Sequence, residues 1–409
     1  MTTLVHPGDA LTRRERALYV IVLGALTALG PFTVDLYLPA FPQVEADLGV
    51  STALIQLTLT ATTLGFAFGQ LLVGPWSDAV GRRLPLILAT SLHVGASLGV
   101  ALAPDIAWLM VFRVLQGFGA AAGGVVAMAT VRDLFGGYPL VRMLSRLSLV
   151  NGLAPILAPV IGSQLLLVMP WRGLFFVLAA YGVIIVIAAS LLIVETLPPE
   201  RRVTTGHATI RDRYRSLFAD RIFLGVAVIG GMSFSGLFAY LSASPFLFQE
   251  VYGLDPQGYG LLFALNSIGV VAGVQVSSRL ARRIPPQWIL AGSTLVLLGS
   301  AVAIIVLDLA GAGFWGTVVP LWFFITACGF GFPMVQALAL VNHGSEAGTA
   351  ASLLGAMNFG LAGLLSPIVG LFGIANAIPM GTVMALTSVV SIVSLWVIVR
   401  PRTVPPLGD

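Results

Sequence analysis

The fold class this chain predicts is an all-α integral membrane protein, with twelve transmembrane helices in two six-helix bundles. Its composition, the rhythm of its apolar runs and the placement of its arginines point there. Hydrophobic residues make up 57% of the 409 residues and charged residues 9%, against about 25% charged in a soluble globular domain. So large a deficit of charge fits a chain whose main solvent is the bilayer, where about 20 apolar residues carry a helix across the hydrocarbon.

Apolar runs fall at 17–40, 52–75, 84–103, 106–130, 143–168, 173–194, 221–248, 258–278, 286–307, 313–341, 347–372 and 379–399. The first follows Arg13, Arg14 and Arg16; it is too long for the apolar core of a signal peptide and reads as a retained first span. With the N-terminus in the cytoplasm, every one of the 21 basic residues, all arginine, falls in an inside segment except Arg172 and Arg113. Arg172 lies outside and Arg113 within a span. Such a bias sets orientation, and it places both termini in the cytoplasm and supports an even number of spans.

The longest polar segment, 196–220, follows the sixth run and contains TLPPERR and RDRYR. It divides the chain into an N-terminal bundle (1–195), a cytoplasmic linker (196–220) and a C-terminal bundle (221–409). Gly81-Arg82-Arg83 and Ala281-Arg282-Arg283 occupy matching turns of the two halves, a weak internal repeat of the kind built into many secondary transporters. Glycines four apart, Gly65 and Gly69, Gly119 and Gly123, Gly269 and Gly273, permit close helix approach.

Among the acidic residues only Asp35 sits well inside a run. A charge near mid-membrane costs roughly 2.5–3.5 kcal/mol on insertion scales and usually faces a cavity or a partner. Asp35 lies about five residues, or roughly 7–8 Å, from the end of its run, and Arg113 about seven residues, or roughly 10 Å, into the fourth, from the same side. Burial and a neighbouring arginine push a carboxyl in opposite directions, and one balanced between them can exchange a proton. Two other readings stay open: a structural ion pair, or a kink over Pro31–Asp35 that leaves the carboxylate near the headgroups.

The segment GPWSDAVGRR at 74–83 reads as the close of the second span and a tight cytoplasmic turn. Gly74 and Gly81 permit the bend, Asp78 is placed to accept bonds at a helix N-terminus, and Arg82 and Arg83 anchor the turn inside. It resembles the signature between spans two and three of the major facilitator superfamily. RVLQGFGAAAGG at 113–124 resembles the fourth-span motif of proton-antiporting members, and NGLAPILAPVIGS at 151–163 the Gly/Pro-rich fifth-span motif of drug antiporters. PFTVDLYLPAFP at 31–42 and VRDLFGG at 131–137 narrow the resemblance to the bicyclomycin and chloramphenicol resistance (Bcr/CflA) subfamily. In the second half, SSRLARRIPPQ at 277–287 lacks the acidic residue of the signature.

The resemblance implies proton coupling through Asp35 and Arg113, a gate at Gly74, Asp78, Gly81, Arg82, Arg83, Arg132 and Asp133, and helix bending at Gly152, Pro155, Pro159 and Gly162. Residues carried onto its central cavity are Phe32, Gln116, Asn151, Tyr240, Asn266, Phe332, Gln336 and Asn358, with Met232, Met334 and Met357 as adaptable neighbours. Each amide has an alternative role as an interhelical bond worth about 0.6–2 kcal/mol. The implied activity is proton-coupled efflux of small lipophilic compounds or antibiotics by alternating access, from a monomer in the cell (inner) membrane. Its partners are a small-molecule substrate, protons and the lipid bilayer. Export, symport or uniport of a physiological metabolite is the other reading.

No cofactor, metal or nucleic-acid partner is expected. The chain has no GxxxxGK[ST] phosphate loop and no HExxH or GxSxG motif, so neither an ATP-driven pump nor a membrane enzyme is expected. Its histidines, His6, His93, His207 and His343, are scattered along it, and the single cysteine, Cys328, lies in an apolar run.

Overall fold

A computed structural model describes residues 7–202, 214–343 and 347–404. Among them there is no strand, and 12 helices are long and apolar enough to cross a membrane. In chain order these are α1 (Arg13–Asp35), α2 (Thr52–Val80), α3 (Arg83–Ala101), α4 (Ile106–Leu134), α5 (Gly137–Leu165) and α6 (Trp171–Leu192). Then follow α7 (Arg221–Phe246), α8 (Pro256–Leu280), α9 (Pro286–Leu309), α10 (Gly313–Leu340), α11 (Ala347–Leu365) and α12 (Ile378–Val393), whose span continues in further helical turns to Thr403. Each overlaps one of the twelve apolar runs. The expected linker is described at 196–202 and 214–220, and its middle, 203–213, lies outside the described residues.

The helix starts follow from local chemistry. Thr12 and Glu15 form a reciprocal capping box on α1, the Glu15 N–H bonding the Thr12 hydroxyl and the Thr12 N–H the Glu15 carboxylate. Asp105 accepts from the N–H groups of Ala107 and Trp108 at the start of α4, Asp220 from Ile222 on α7, and Asp255 from Gly258 on α8. Each satisfies donors that a helix N-terminus leaves without partners. Large apolar side chains such as Ile184 and Leu191 are exposed, the latter at 78%. On a soluble surface they would be a liability; on a spanning helix they are the face presented to lipid.

Two sequence expectations change here. Pro31 does not end the first span but lies within α1; the regular helix stops at Asp35 and resumes as a 3-10 turn (Leu38–Ala40) and a short helix (Phe41–Leu48). The segment 74–83 is also mostly helix, because α2 runs past Pro75 to Val80 and leaves only Gly81 and Arg82 for the turn. Asp78 therefore sits in the last turn of a helix, where the macrodipole disfavours an anion, and not at an N-terminus.

By contacts the chain forms two compact units, Met1–Tyr37 with Leu64–Thr204, and Leu38–Thr63 with Thr205–Asp409. Chain order and contact clustering thus part at 38–63, the end of the first span and the start of the second. Within the second unit this segment sets Phe41 against Phe246, ring centroids 5.9 Å apart, and the Pro39 carbonyl 3.2 Å from the Gln249 amide. The internal repeat is plain in the packing of helices: α1 lies on α4, α5 and α6, and α3 on α4 and α6, while α7 lies on α10, α11 and α12, and α9 on α10 and α12. Close approaches fall at the expected glycines. A Cβ at Gly65 would meet the Val114 carbonyl, one at Gly123 the Leu26 carbonyl, and one at Gly273 the Thr326 carbonyl.

Candidate functional site

In the first unit a polar cluster lies among α1, α3, α4 and α6. Arg113, on α4, is fully buried. Its Nη1 donates to the Thr33 carbonyl at 2.9 Å and to Gln116 Oε1 at 2.8 Å. The Thr33 carbonyl is available because α1 ends two residues later, and the last carbonyls of a helix lack intrahelical donors. The guanidinium carbon sits 4.9 Å from the centroid of the Tyr37 ring and 5.7 Å from that of Phe175, so aromatic faces supply part of what water would.

From Gln116 the chain of bonds continues through Nε2 to the Ser97 hydroxyl (2.8 Å), which donates to the His93 carbonyl (2.7 Å). His93 Nε2 is 2.9 Å from the Thr33 hydroxyl. That hydroxyl has one proton and gives it to the Leu29 carbonyl at 2.6 Å, so it accepts from His93 and fixes the Nε2–H tautomer. His93 Nδ1 is a buried acceptor without a partner among the described residues.

Asp35, two residues beyond Thr33 and about 3 Å further along the helix axis, is 6% exposed. Among the described residues its carboxylate makes no ion pair or hydrogen bond, in contrast to Asp78 and Asp133, both paired with Arg82, and Asp220, paired with His343. The structural ion pair with Arg113 is therefore not formed. Arg113 grips the backbone beside Asp35 instead. Thr33, Tyr37, His93, Ser97 and Phe175 escaped the sequence reading, though Ser97, four residues after His93, and Gln116, three after Arg113, are polar repeats at helical spacing in apolar runs.

At the other end of these helices, Arg82 bonds to Asp133 (2.8 Å through Nε), to Asp78, and to the Ser77 hydroxyl (2.9 Å). Glu195, just beyond α6, accepts the backbone N–H of Arg82 at 2.8 Å and of Arg83 at 3.2 Å, so it is the carboxylate at the N-terminus of α3. Burial raises the Glu195 pKa, but those backbone bonds, a third from Leu197 and the charge of Arg202 outweigh it and hold it below the usual range. Gly81 has φ +106°, and a Cβ there would strike the Glu195 carboxylate. Arg83 reaches the Ser190 carbonyl at 2.6 Å, whereas Arg132 is exposed; the Gly74 carbonyl accepts from the Ser77 hydroxyl at 2.9 Å, and a Cβ at Gly74 would meet only Val125, at ordinary contact distance. Of the four residues expected to bend α5, Gly152, Pro155, Pro159 and Gly162, all lie within one continuous helix, and a Cβ at Gly162 would strike the Leu36 carbonyl.

The second unit holds an aromatic site. Phe234 lies 5.2 Å from Phe332, 5.4 Å from Phe359 and 5.9 Å from Phe238, centroid to centroid. The Asn266 amide nitrogen donates to the Tyr240 hydroxyl at 3.1 Å, and Tyr240 stacks on Phe263 at 5.7 Å. The side-chain oxygens of Asn266 and Asn358 are buried acceptors without partners among the described residues. Phe234, Phe238 and Phe359 were missed in the sequence because single phenylalanines on an apolar helix carry no signal of being neighbours. Of the other expected cavity residues, Phe32 packs tilted against Tyr181, ring centroids 5.7 Å apart, Gln116 is engaged with Arg113, and Asn151 and Gln336 are exposed.

The model of the Major Facilitator Superfamily matches residues 22–367. The chain belongs to that superfamily. This major facilitator is 35% identical over 393 residues to an uncharacterized MFS-type transporter, YdgK, of Bacillus subtilis, covering 96% of this chain and 98% of the relative. It is 30% identical to a bicyclomycin resistance protein homolog of Haemophilus influenzae (94% and 96% covered) and 31% identical to the multidrug resistance protein MdtL of Escherichia coli (82% and 84% covered). Among solved structures it shares the fold of a bacterial homolog of the human lysosomal transporter Spinster (TM-score 0.73, 17% identity, 96% and 98% covered). It shares it too with the xylose transporter XylE of E. coli (TM-score 0.74, 13% identity, 97% and 99% covered). The protein is thus a multi-pass membrane transporter of small molecules and not an enzyme.

Proposed function

We propose that this major facilitator is a proton-coupled exporter of small, largely apolar compounds, antibiotics among them. In this reading it works as a monomer in the cell (inner) membrane, with both termini cytoplasmic. The observation that carries the reading is Asp35, a carboxylate buried in a span two residues beyond the Thr33 carbonyl that Arg113 holds, and committed to no ion pair among the described residues. A charge held there at cost is expected to serve a pathway or a relay. The relatives named for bicyclomycin and multidrug resistance support export as the direction of flux and antibiotics as cargo.

In this reading Asp35 carries the proton. Arg113 is tied to Thr33, so a rearrangement of the end of α1 changes the separation of guanidinium and carboxylate, which decides between the charged and neutral forms. His93 holds the Thr33 hydroxyl and so positions the backbone that Arg113 grips. In the second unit, Phe234, Phe332 and Phe359 offer apolar faces, and the free oxygens of Asn266 and Asn358 accept hydrogen bonds. That combination suits a compact molecule with an aromatic or aliphatic body and an N–H or O–H donor.

The test is transport in proteoliposomes with an imposed pH gradient, with bicyclomycin and a panel of chemically varied antibiotics as cargo. Asp35→Asn should abolish accumulation against a gradient, because an amide cannot titrate, while downhill movement of a neutral cargo continues. An Asp35→Asn protein that still concentrates cargo against its gradient would overturn the assignment of the proton to Asp35. Gradient-independent movement of every compound by the unaltered protein would overturn proton coupling.

A further inference from the structure

Asp35 and His93 are both buried in spans of the first unit, and a buried histidine can serve either as a second proton carrier or as a fixed hydrogen-bonding group. Its bonds decide between the two. His93 on α3, Thr33 on α1, Arg113 and Gln116 on α4 and Ser97 on α3 form a closed ring. His93 Nε2 donates to the Thr33 hydroxyl, Arg113 to the Thr33 carbonyl and to Gln116, Gln116 to Ser97, and Ser97 back to the His93 carbonyl. The last turn of α1, which ends at Asp35, is thereby held through a side chain from α3 and through the main chain from α4.

Arg113 makes both of its ring bonds through Nη1, while its Nε and Nη2 are buried donors without a partner among the described residues. Two N–H directions of the guanidinium thus stay open for a carboxylate if the end of α1 moves. The imidazole itself is fitted between two glycines. A Cβ at Gly119 on α4 would come within 2.8 Å of the His93 backbone nitrogen and Cβ, and one at Gly182 on α6 would lie 3.5 Å from Nδ1. Nδ1 therefore looks toward α6, where it has no hydrogen-bond partner among the described residues. The titratable groups on the helices around it are Arg113 on α4, Asp35 on α1, Tyr37 just beyond α1, and Tyr181 on α6, whose hydroxyl is given to the Ala25 carbonyl. A proton on Nδ1 would be a buried cationic donor with no acceptor, a costlier state than an idle lone pair.

We infer, on the assignment of the proton to Asp35, that His93 is a positioning residue of the proton step: a neutral Nε2–H donor that keeps its proton state through the cycle and sets the end of α1 against Arg113. The Thr33 hydroxyl passes its own proton to the Leu29 carbonyl one turn back, so the bond from His93 fixes the Thr33 rotamer and, with it, the carbonyl that Arg113 uses. What the protein needs at position 93 is then a donor at the place of Nε2, and not a group that titrates.

The test joins transport by the full chain in proteoliposomes to NMR of the purified chain carrying isotope-labelled histidine. His93→Leu should lower gradient-driven accumulation about fivefold to tenfold, the weight of one hydrogen bond, and displace its pH profile. His93→Gln, whose amide N–H reaches the place of Nε2–H, should return accumulation to within about twofold of the unaltered protein, with the same pH profile and the same proton-to-cargo ratio. Thr33→Val removes the acceptor and should match His93→Leu, and the double variant should be no worse than either, because all three lack the same bond. The imidazole signals of His93, assigned by their loss in His93→Gln, should keep the neutral Nε2–H form between about pH 5 and pH 8. Since loss of a buried polar group can disturb folding, the glutamine variant and the spectrum of the unaltered chain carry the test without the leucine variant. A His93 that titrates in that interval, a proton-to-cargo ratio that falls in His93→Gln, or full accumulation by His93→Leu would overturn the proposal. Failure of the assignment to Asp35 looks different: Asp35→Asn still concentrates cargo against its gradient while the His93 signals stay in the neutral form.

Discussion

The turn between α2 and α3 and the turn between α8 and α9 hold the same place in the two halves and nearly the same letters, Gly81-Arg82-Arg83 against Ala281-Arg282-Arg283. In the first, Arg82 is 7% exposed and bound to two carboxylates and a serine, while Glu195 holds the backbone N–H groups of the turn. In the second, Arg282 and Arg283 are exposed. Where the first half has Asp78 the second has Ser278, whose hydroxyl turns back to the Val274 carbonyl of its own helix at 2.7 Å. Nor does the stretch after α12, Arg400–Val404, hold a carboxylate to match Glu195. The arginine pair alone makes an ordinary basic turn; carboxylates brought from α4 and α6 make it a lock.

The largest difference should come from the arginine itself. Arg82→Ala leaves Asp78 and Asp133 without their shared cation, and loss of one partner of a mostly buried pair costs about 3 kcal/mol. Arg282→Ala, at an exposed position, should stay within about 0.5 kcal/mol. Thermal melting of both variants in one detergent measures the gap, and cargo transport by the same preparations tests the gating role. Equal melting temperatures for the two variants would show the lock to be an arrangement without energetic weight.

A smaller effect should follow from the carboxylate that holds the backbone. Glu195→Gln keeps one acceptor oxygen for three N–H donors and should cost about 1–2 kcal/mol. Gly81→Ala adds strain at a positive φ and should cost about 1–3 kcal/mol. The Glu195 pKa is lowered in the folded protein from its ordinary 4.5. Its contribution is therefore complete above about pH 5 and is lost as the pH falls through the folded value. Melting temperature should drop between about pH 5 and 3 in the unaltered chain, and less steeply in Glu195→Gln. A parallel drop in both would assign the acid sensitivity to other carboxylates.

This pair of turns also marks how far the sequence could be read. Twelve helices, the repeat and the residues of the first turn were legible, since hydropathy and spacing are local and an arginine-rich turn is visible in ten letters. Glu195 was not, because its part in the turn depends on a contact 113 residues away. Asp78 was put at a helix N-terminus because Pro75 and Gly74 read as the end of a span; α2 continues through both, and packing overrode the breaker signal. The cluster around Arg113 was half legible: the arginine and Asp35 stand out as charges in apolar runs, but the salt bridge they suggested gives way to a bond with the Thr33 carbonyl. That acceptor exists only because α1 stops at Asp35, and nothing in the letters TVDLYL announces the stop. His93 was set aside as one of four scattered histidines, since only the packing of α3 on α1 brings it to Thr33.

The second half does have a polar latch, at a different place, and it should give the smallest effect. Asp220, ahead of α7, accepts from His343 Nε2 at 3.0 Å, from the Asn342 amide at 3.0 Å and from the Ile222 N–H at 2.8 Å, tying the segment after α10 to the start of α7. Burial raises the Asp220 pKa, but the hydrogen bonds from Asn342, Ile222 and His343 outweigh it and leave it below the ordinary carboxylate value. His343 also sits edge-on to Phe223 at 6.0 Å, so its ring is held by packing as well as by the bond. Asp220 keeps two other donors if the histidine is lost, so His343→Ala should cost only about 1 kcal/mol, the net worth of one hydrogen bond. His343→Gln, which can still donate to Asp220, should recover about half of it. The acid limb of stability should shift less in His343→Ala than in Glu195→Gln, because the carboxylate of this latch is only partly dependent on its histidine. Melting curves of His343→Ala and His343→Gln between pH 7 and pH 4 carry the comparison to its end. If His343→Ala proves as damaging as Arg82→Ala, the second half has a lock of equal strength at the start of α7, and the asymmetry of the two arginine turns reflects only a change in where each half is fastened.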